Sequence, residues 1–181
     1  GAFETGHLNS EAISETARVV KNFISLAEAE GADIIRALAT SAARETENSH
    51  ELVEAIVQLG LNLEIIDGET EAQLVLRGVR SHPEFRDGLL SVIDVGGGST
   101  ELMVVNDDEW LHQKSHPLGT VRWLDQFKPS DQPTADERNI VTKSIDEFFD
   151  KHIAPDLKNI SLPDILVGAG GTPVFLAQIF A

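Results

Sequence analysis

Residues 94–101 read Asp-Val-Gly-Gly-Gly-Ser-Thr-Glu, and they lie between two apolar runs, Leu89–Ile93 and Leu102–Val105. The apolar runs predict two strands, and the three glycines predict a tight turn between them. Without Cβ atoms in the way, backbone N–H groups of such a turn can close around phosphate oxygens. Asp94 and Glu101 add carboxylate oxygens, which are ligands that Mg²⁺ prefers. The segment indicates phosphate chemistry with a divalent metal, and a plain hairpin turn is the alternative.

Composition narrows the class of protein. The chain has 181 residues, 41% of them hydrophobic, which is enough for a packed core. It has no cysteine, so disulfides, thiolate zinc sites and cysteine nucleophiles are excluded. No apolar run approaches the roughly 20 residues that span a bilayer, and no basic segment precedes an apolar one at the N-terminus. We therefore expect a soluble cytoplasmic protein with no membrane partner.

The excess of acidic over basic residues limits which partners the chain can bind. Fourteen basic residues against 30 acidic ones give a formal net charge of −16. Duplex nucleic acid is disfavoured as a partner, because phosphate contacts need clustered Lys and Arg. A solvated acidic surface is the simplest explanation of the excess charge. A phosphate site would then need local compensation from a metal, backbone amides and a few arginines.

The first half of the chain alternates predicted strands and helices. Ser10 is the predicted N-cap of a first helix, which Gly31 ends. The pattern then predicts, in order, strand Ile34–Ala39, helix Ser49–Leu59, strand Leu61–Ile66 and a helix that starts near Glu69. This alternation favours an α/β fold with a parallel or mostly parallel sheet.

The second half changes to closely spaced strands. The predicted strands are Leu89–Val95, Ser99–Val105 and Trp110–His116, which suggests an antiparallel meander. Thr134 caps a predicted helix that ends near His152, Asp164–Val167 is a further predicted strand, and a last helix opens at Thr172. We place the domain boundary within residues 81–88. The aromatic residues predicted to lie in the core are Trp110, Trp123, Phe148 and Phe149.

Small or hydroxyl-bearing residues directly follow four predicted strands. In open α/β sheets, ligands bind at the carboxyl ends of strands, where helix N-termini supply amides. We therefore expect these segments to face a shared cleft. They are Thr40–Arg44, Asp67–Glu71, Asp94–Glu101 and Gly168–Thr172.

Each of these segments also has a purely structural interpretation. Thr40 and Ser41 are ordinary helix caps, although Arg44 nearby favours anion binding. Glu71 lies where acidic residues stabilise a helix N-terminus without any catalytic purpose. Gly168–Thr172 could only allow a helix to pack close to its strand. The histidines show no metal-ligand spacing, and none is assigned a metal: His7, His50, His82, His112, His116 and His152.

Taken in order, the motifs resemble those of the exopolyphosphatase / guanosine pentaphosphate phosphohydrolase family. The residues that carry the resemblance are Ala39–Arg44, Ile66–Ala72, Val92–Leu102, Leu118–Arg122 and Gly168–Thr172. The resemblance covers nearly the whole chain. It implies an actin-like, ribonuclease-H-like two-domain architecture, with residues 1–88 in a partial first domain and residues 89–181 in a partial second domain. The opening phosphate-binding hairpin of the family has no match before Ser10, so we expect a chain truncated at both ends.

The resemblance also implies roles for individual residues. Glu71 is the expected catalytic carboxylate, which orients and deprotonates the attacking water, and Glu101 is a second base. Asp94 and Glu101 are the expected ligands of Mg²⁺ or of its waters. The expected phosphate contacts are Thr40, Ser41, Arg44, Gly96, Gly97, Gly98, Ser99, Thr100, Gly168, Gly170, Gly171 and Thr172.

The expected activity is Mg²⁺-dependent hydrolysis that releases terminal phosphate from inorganic polyphosphate or from guanosine pentaphosphate. A non-catalytic sensor that binds polyphosphate or guanosine polyphosphates is the first alternative. An actin-like ATPase or kinase is the second, although no Asp base for a sugar hydroxyl stands out. The sequence leaves open which of these substrates is preferred and whether the protein is a monomer or a homodimer.

Overall fold

The computed structural model describes residues 1–161, 163 and 165–180. Its helices and strands alternate in the first third of the chain and again at its end, with a three-stranded meander between. The fold is therefore α/β, as the sequence predicts. Within the described residues, no helix is both long and apolar enough to cross a membrane.

The contacts divide the chain into two compact units, Gly1–Asp67 and Gly68–Ala181. The helix Gly68–Arg80 belongs to the second unit, because its apolar face packs on the sheet of that unit. The predicted boundary lies later, within residues 81–88. The limits of the two domains stay a prediction, while the compact units divide after Asp67.

The first unit contains four helices and a short parallel sheet. In chain order its elements are α1 (Ala2–Thr5), α2 (Ser10–Ala29), β1 (Ala37–Ala39), α3 (Ser41–Arg44), α4 (Ser49–Val57) and β2 (Leu63–Ile65). β1 and β2 pair in parallel, with Ala37 opposite Leu63. Ile13 of α2 and Ile56 of α4 are buried in the core of this unit.

Two sequence predictions in the first unit are wrong in detail. Asn9, not Ser10, caps α2, because the Asn9 side chain accepts a hydrogen bond from the Glu11 amide at 2.7 Å. The strand predicted at Ile34–Ala39 is shorter, since only the last three of its residues find partners on β2.

The second unit is built on a four-stranded mixed sheet in the order β5-β4-β3-β6. Its elements are α5 (Gly68–Arg80), a 3₁₀ turn (Pro83–Phe85), β3 (Leu89–Val95), β4 (Thr100–Asn106), β5 (Glu109–His116), α6 (Thr120–Phe127), α7 (Ala135–His152), α8 (Ala154–Leu157), β6 (Leu166–Ala169) and α9 (Gly171–Phe180). The predicted antiparallel meander is confirmed, and β6 adds in parallel to β3. Asp164, where the sixth strand is predicted to begin, lies outside the described residues.

Alternation along β3 gives the sheet two chemically different faces. Leu90 and Val92 share one face with Met103 and Val105 of β4, and Ala72 and Leu76 of α5 complete this core. Burying such side chains contributes about 1.5–3 kcal/mol each, so this face fixes α5 on the sheet. The opposite face carries Ile93 and Val95 of β3. We call these the α5 face and the back face.

The predicted core aromatic residues are only partly inside. The Trp110 side chain on β5 is 39% exposed and Phe149 on α7 is 46% exposed, so the prediction is wrong for both. Thr134 caps α7 as predicted: its side chain accepts from the Glu137 amide, and Glu137 reaches back to the Thr134 amide. These reciprocal bonds form a capping box.

Candidate phosphate and metal site

The hairpin register brings two carboxylates together. Asp94 on β3 lies directly opposite Glu101 on β4, and directly opposed residues project from the same face of a sheet. Both therefore lie on the α5 face, one step beyond Val92 and Met103. Glu101 is only 1% exposed, and one of its oxygens accepts a hydrogen bond from the Ser115 hydroxyl at 2.6 Å.

Burial of Asp94 makes its negative charge costly. Desolvation raises the pKa of the Asp94 carboxyl above its ordinary value. The Cα of Gly170 lies so close that a Cβ there would overlap Asp94 Oδ1. Gly170 also has a φ of +82°, which favours glycine over residues with a Cβ. The end of β6 therefore reaches the carboxylate only because residue 170 is glycine.

The two carboxylates suit Mg²⁺ in number and in kind. Mg²⁺ is usually held by one or two carboxylates, with waters and substrate phosphates completing its octahedron. Among residues 1–161, 163 and 165–180, no group of three or more His, Asp or Glu gathers closely enough to hold a metal ion alone. Asp94 and Glu101 therefore suit a metal ion whose remaining ligands would be waters and phosphate oxygens of a substrate.

Helix α5 brings Glu71 to the same end of the sheet. Arg80, at the end of α5, donates hydrogen bonds to the carbonyls of Gly88 and Asp107, so this end lies where β3 begins. At about 1.5 Å per residue, Gly68–Arg80 extends about 18 Å back along the sheet. Leu89–Asp94 extends about 17 Å at 3.3 Å per residue. The first turn of α5 is therefore level with Asp94.

Neighbouring contacts support this placement of Glu71. Ala72, the next residue, is fully buried in the core cluster that includes Val92 and Met103, the residues nearest the two carboxylates along the α5 face. The side-chain amide of Gln113, opposite Met103, donates to the Glu69 carbonyl at 2.8 Å. Glu71 is half-buried in the first turn of α5. Three acidic residues thus lie at one end of one face of the sheet.

The N-terminus of α6 holds the glycine turn through backbone hydrogen bonds. The amide of Thr120 donates to the Gly96 carbonyl at 3.0 Å, and that of Val121 donates to the Gly97 carbonyl at 2.8 Å. Arg122 Nε donates to the Gly98 carbonyl at 2.7 Å. The three glycine carbonyls are therefore turned toward α6. We call these contacts the α6 brace.

The brace leaves amides of the turn available to an anion. Gly96 closes the turn by donating to the Ser99 carbonyl at 3.0 Å. Elsewhere in the turn, the Gly97 and Gly98 amides donate to no acceptor within the described part of the chain. Adjacent free amides in a glycine-rich turn form an anion-binding concavity.

Comparison with known proteins assigns the family. A family model described as the Ppx/GppA phosphatase family matches residues 1–181. The chain belongs to this family. "Exopolyphosphatase 2" of Mycobacterium tuberculosis is 29% identical over 187 residues, covering 99% of this chain and 57% of that protein. The chain thus spans little more than half the length of this relative.

Solved structures of the Ppx/GppA family share the fold. An exopolyphosphatase from Cytophaga hutchinsonii superposes with a TM-score of 0.88 at 28% identity, and the match covers 99% of this chain and 57% of that one. The Aquifex aeolicus family member superposes with a TM-score of 0.70 at 30% identity, covering 99% and 56%. The α/β architecture expected from the family resemblance is confirmed.

Two predicted phosphate contacts of this Ppx/GppA chain lie on the back face of the sheet. Thr100 pairs with Val95 there, and its hydroxyl donates to the Leu118 carbonyl. Gly168 pairs with Ile93, and a Cβ on it would stand 2.7 Å from Cβ of Pro173. The packing of the back face therefore accounts for a hydroxyl at residue 100 and a glycine at residue 168. The phosphate contacts of these two residues stay predictions.

The other second-unit predictions surround the carboxylates or the turn. Ser99 is buried beside Gly98 in the turn. Gly171 and Thr172 open α9 directly after Gly170. The N-terminus of a helix favours negative charge, so this placement agrees with phosphate binding but does not test it.

The remaining predicted contacts belong to the first unit. Arg44 donates to the Ile66 carbonyl at 2.8 Å, which ties α3 to the end of β2. Ser41 is buried and its hydroxyl donates to Glu45 at 2.9 Å. The Thr40 side chain makes no capping hydrogen bond to α3. Their roles toward phosphate stay predictions.

Sequence reasoning missed two residues that hold the site of this Ppx/GppA chain. Ser115 bonds the buried Glu101 carboxylate, and Arg122 bonds the glycine turn. Ser115 could have been found from strand alternation, since it faces Glu101 once β4 and β5 are aligned. Arg122 lies in the Leu118–Arg122 stretch that carries the family resemblance, but no role was assigned to it, because the docking of α6 on the turn is a long-range contact.

Proposed function

We propose that this chain carries the Mg²⁺-dependent hydrolytic site for a phosphoanhydride, acting on inorganic polyphosphate or on guanosine pentaphosphate. The observation that carries the proposal is the pairing of Asp94 and Glu101 on the face that also receives the first turn of α5. Membership of a phosphatase family supports the reaction class.

In the proposed reaction, water attacks the terminal phosphorus and the bond to the bridging oxygen breaks. Orthophosphate and a chain one phosphate shorter are the products. Glu71 accepts a proton from the attacking water and aligns it with the leaving oxygen. The amides of Gly97 and Gly98 hold oxygens of the transferred phosphoryl group.

Asp94 and Glu101 would hold the metal in this proposal. Mg²⁺ supplies neutralisation of the charge on the phosphate oxygens. Ser115 keeps one Glu101 oxygen in place through its 2.6 Å hydrogen bond. The raised pKa of Asp94 reflects a carboxylate that lacks solvent, and a cation would offset that cost.

The test is phosphate release from polyphosphate with Mg²⁺ by the unaltered chain, by Glu71→Gln and by a matched control, Glu69→Gln. Glu69 lies in the same helical turn but is exposed. General-base catalysis contributes about 10²–10⁴-fold, so Glu71→Gln should lower kcat by that factor while calorimetry shows retained binding. Glu69→Gln should stay near the unaltered rate.

Two outcomes would count against this proposal. Equal turnover by Glu71→Gln and the unaltered chain would reduce Glu71 to a residue that stabilises a helix N-terminus. Polyphosphate binding by the unaltered chain, with no phosphate released, would favour the sensor alternative.

A further inference from the structure

A hollow of about 410 Å³ lies at the opposite end of the α5 face from the two carboxylates, where β3 begins and β4 ends. It is formed within the second unit by the last turns of α5, the segment 81–88 and the turn between β4 and β5. The charged and aromatic side chains that line it are Arg77, Arg80, Arg86, Asp107, Asp108 and Trp110. The length of β3, about 20 Å at 3.3 Å per residue, separates the start of this strand from the glycine turn.

The three arginines form no ion pair with a carboxylate within the described residues, although Asp107 and Asp108 also line the hollow. Within the described residues, neither Arg77 nor Arg86 forms an ion pair or hydrogen bond. Arg80 donates only to backbone carbonyls, at 3.0 Å to Phe85, 2.9 Å to Gly88 and 3.2 Å to Asp107. In a chain with 30 acidic and 14 basic residues, three such guanidinium groups around one hollow are unexpected.

The hollow has two acidic residues against three arginines, and one of the two, Asp107, accepts a backbone hydrogen bond. Asp107 Oδ1 accepts a hydrogen bond from the Gly88 amide at 2.6 Å, which joins the β4–β5 turn to the start of β3. Three guanidinium groups therefore face two carboxylates, whereas the chain as a whole carries a net charge of −16. The local balance favours an anion.

Trp110 supplies a flat apolar wall beside this charge. It pairs with Val105 next to a register shift in β4–β5, and its side chain is 39% exposed. An indole face stacks on nucleobases irrespective of sequence, and planar guanidinium groups bind phosphate oxygens in pairs. The combination is unlike the glycine turn, which has neither an aromatic wall nor a cluster of guanidinium groups facing the anion.

We propose that this hollow binds a nucleoside phosphate, with the base on Trp110 and the phosphate groups on Arg77 and Arg86. Arg80 holds the walls together through its three carbonyl contacts and contributes charge. The proposal is independent of the hydrolytic site, since it involves none of the residues assigned to that reaction.

The test uses indole N–H resonances, because the chain has two tryptophans and Trp123 lies on α6 beside the brace. ADP is titrated into the unaltered chain with EDTA, so that no divalent metal takes part. The Trp110 resonance should shift with saturation, while the Trp123 resonance stays in place. Movement of Trp123 with no movement of Trp110 would place ADP elsewhere and overturn the proposal.

Variants separate the two parts of the ligand. Arg77→Gln and Arg86→Gln should each weaken ADP binding about tenfold, the equivalent of about 1.4 kcal/mol. Arg138→Gln on α7 is the matched control and should bind ADP as the unaltered chain does. Pyrophosphate should compete with ADP but shift Trp110 less.

Three results would overturn the proposal. They are ADP binding that is unchanged in both arginine variants, adenosine binding as tightly as ADP, and ADP binding that is lost in Asp94→Asn. The last would show that ADP occupies the glycine-turn site instead. Calorimetry with Trp110→Leu provides a check without NMR, and binding should again fall about tenfold because base stacking is lost.

Discussion

Gly119→Ala is a direct test of the α6 brace. Gly119 directly precedes α6, with φ −142° and ψ 154°, an extended conformation that alanine adopts freely. A Cβ at this position would stand 2.5 Å from the carbonyl carbons of Gly97 and Gly98. Because these neighbours are backbone atoms, the turn and the helix must move apart.

The magnitude follows from the contacts that would be lost. Restoring ordinary separation requires a displacement of about 1 Å, which breaks bonds that now measure 2.7–3.0 Å from Thr120, Val121 and Arg122 to the turn. At about 1 kcal/mol for each hydrogen bond, the destabilisation is about 3 kcal/mol, which is also the upper end for overpacking. For a chain of this length, the melting temperature should fall by about 6–12 °C.

The assay compares thermal unfolding and polyphosphate binding with those of Gly78→Ala. Gly78 lies inside α5, where a Cβ would meet nothing within 4 Å. Alanine there should raise stability by about 0.5–1 kcal/mol, since glycine is a poor helix former. Gly119→Ala should melt lower and bind polyphosphate more weakly. If Gly119→Ala matches Gly78→Ala in both measurements, the brace does not hold the turn.

Two further predictions concern pH. The pKa of Asp94 is raised by burial, so the stability tied to its proton is present below pH 3.8 and is lost as pH rises through the higher folded value. Without metal, Asp94→Asn should therefore melt above the unaltered chain at pH 7 and level with it at pH 3; a lower melting point at pH 7 would contradict this. Burial, and to a smaller extent the charge of Lys114, lowers the pKa of the His116 imidazole below its ordinary value of 6.5. Protonation therefore favours the unfolded chain, and the free energy of unfolding should fall as pH drops below 6.5. Urea midpoints at pH 7.5 and pH 5 should differ less in His116→Gln, and an equal difference would show that His116 is not responsible.

Local signals predicted most of the second unit. The strand Leu89–Val95 has the predicted limits, and Thr134 caps α7, because alternation and capping act between residues near in sequence. The cap of α2 was misplaced by one residue, since asparagine and serine are about equally good caps and stand side by side. Trp110 was misplaced because hydrophobicity does not reveal which edge of a core stays open.

The candidate site likewise combines features that the local sequence predicts with contacts that depend on tertiary packing. The sequence predicts a tight turn flanked by Asp94 and Glu101, whereas the register that sets the two residues opposite each other is a finding of the structure. The contact of Ser115 with Glu101 depends on the alignment of a third strand, and the contact of Arg122 with Gly98 depends on the docking of a helix. Strand alternation indicates Ser115 only once β4 and β5 are aligned, and the docking of α6 leaves no periodic pattern in the sequence.

The opposition of Asp94 and Glu101 has a consequence for how this hairpin tolerates insertions and deletions. Successive side chains of a strand project to opposite faces. The loss or gain of one residue in β4 would therefore place Glu101 on the apolar back face of the sheet. The same slip would bring Leu102 or Thr100 against the carboxylate oxygens of Asp94, which are the proposed metal ligands. Relatives that keep the chemistry should therefore change this hairpin by substitution, or by residues added in pairs, and single-residue indels should be confined to the β4–β5 turn.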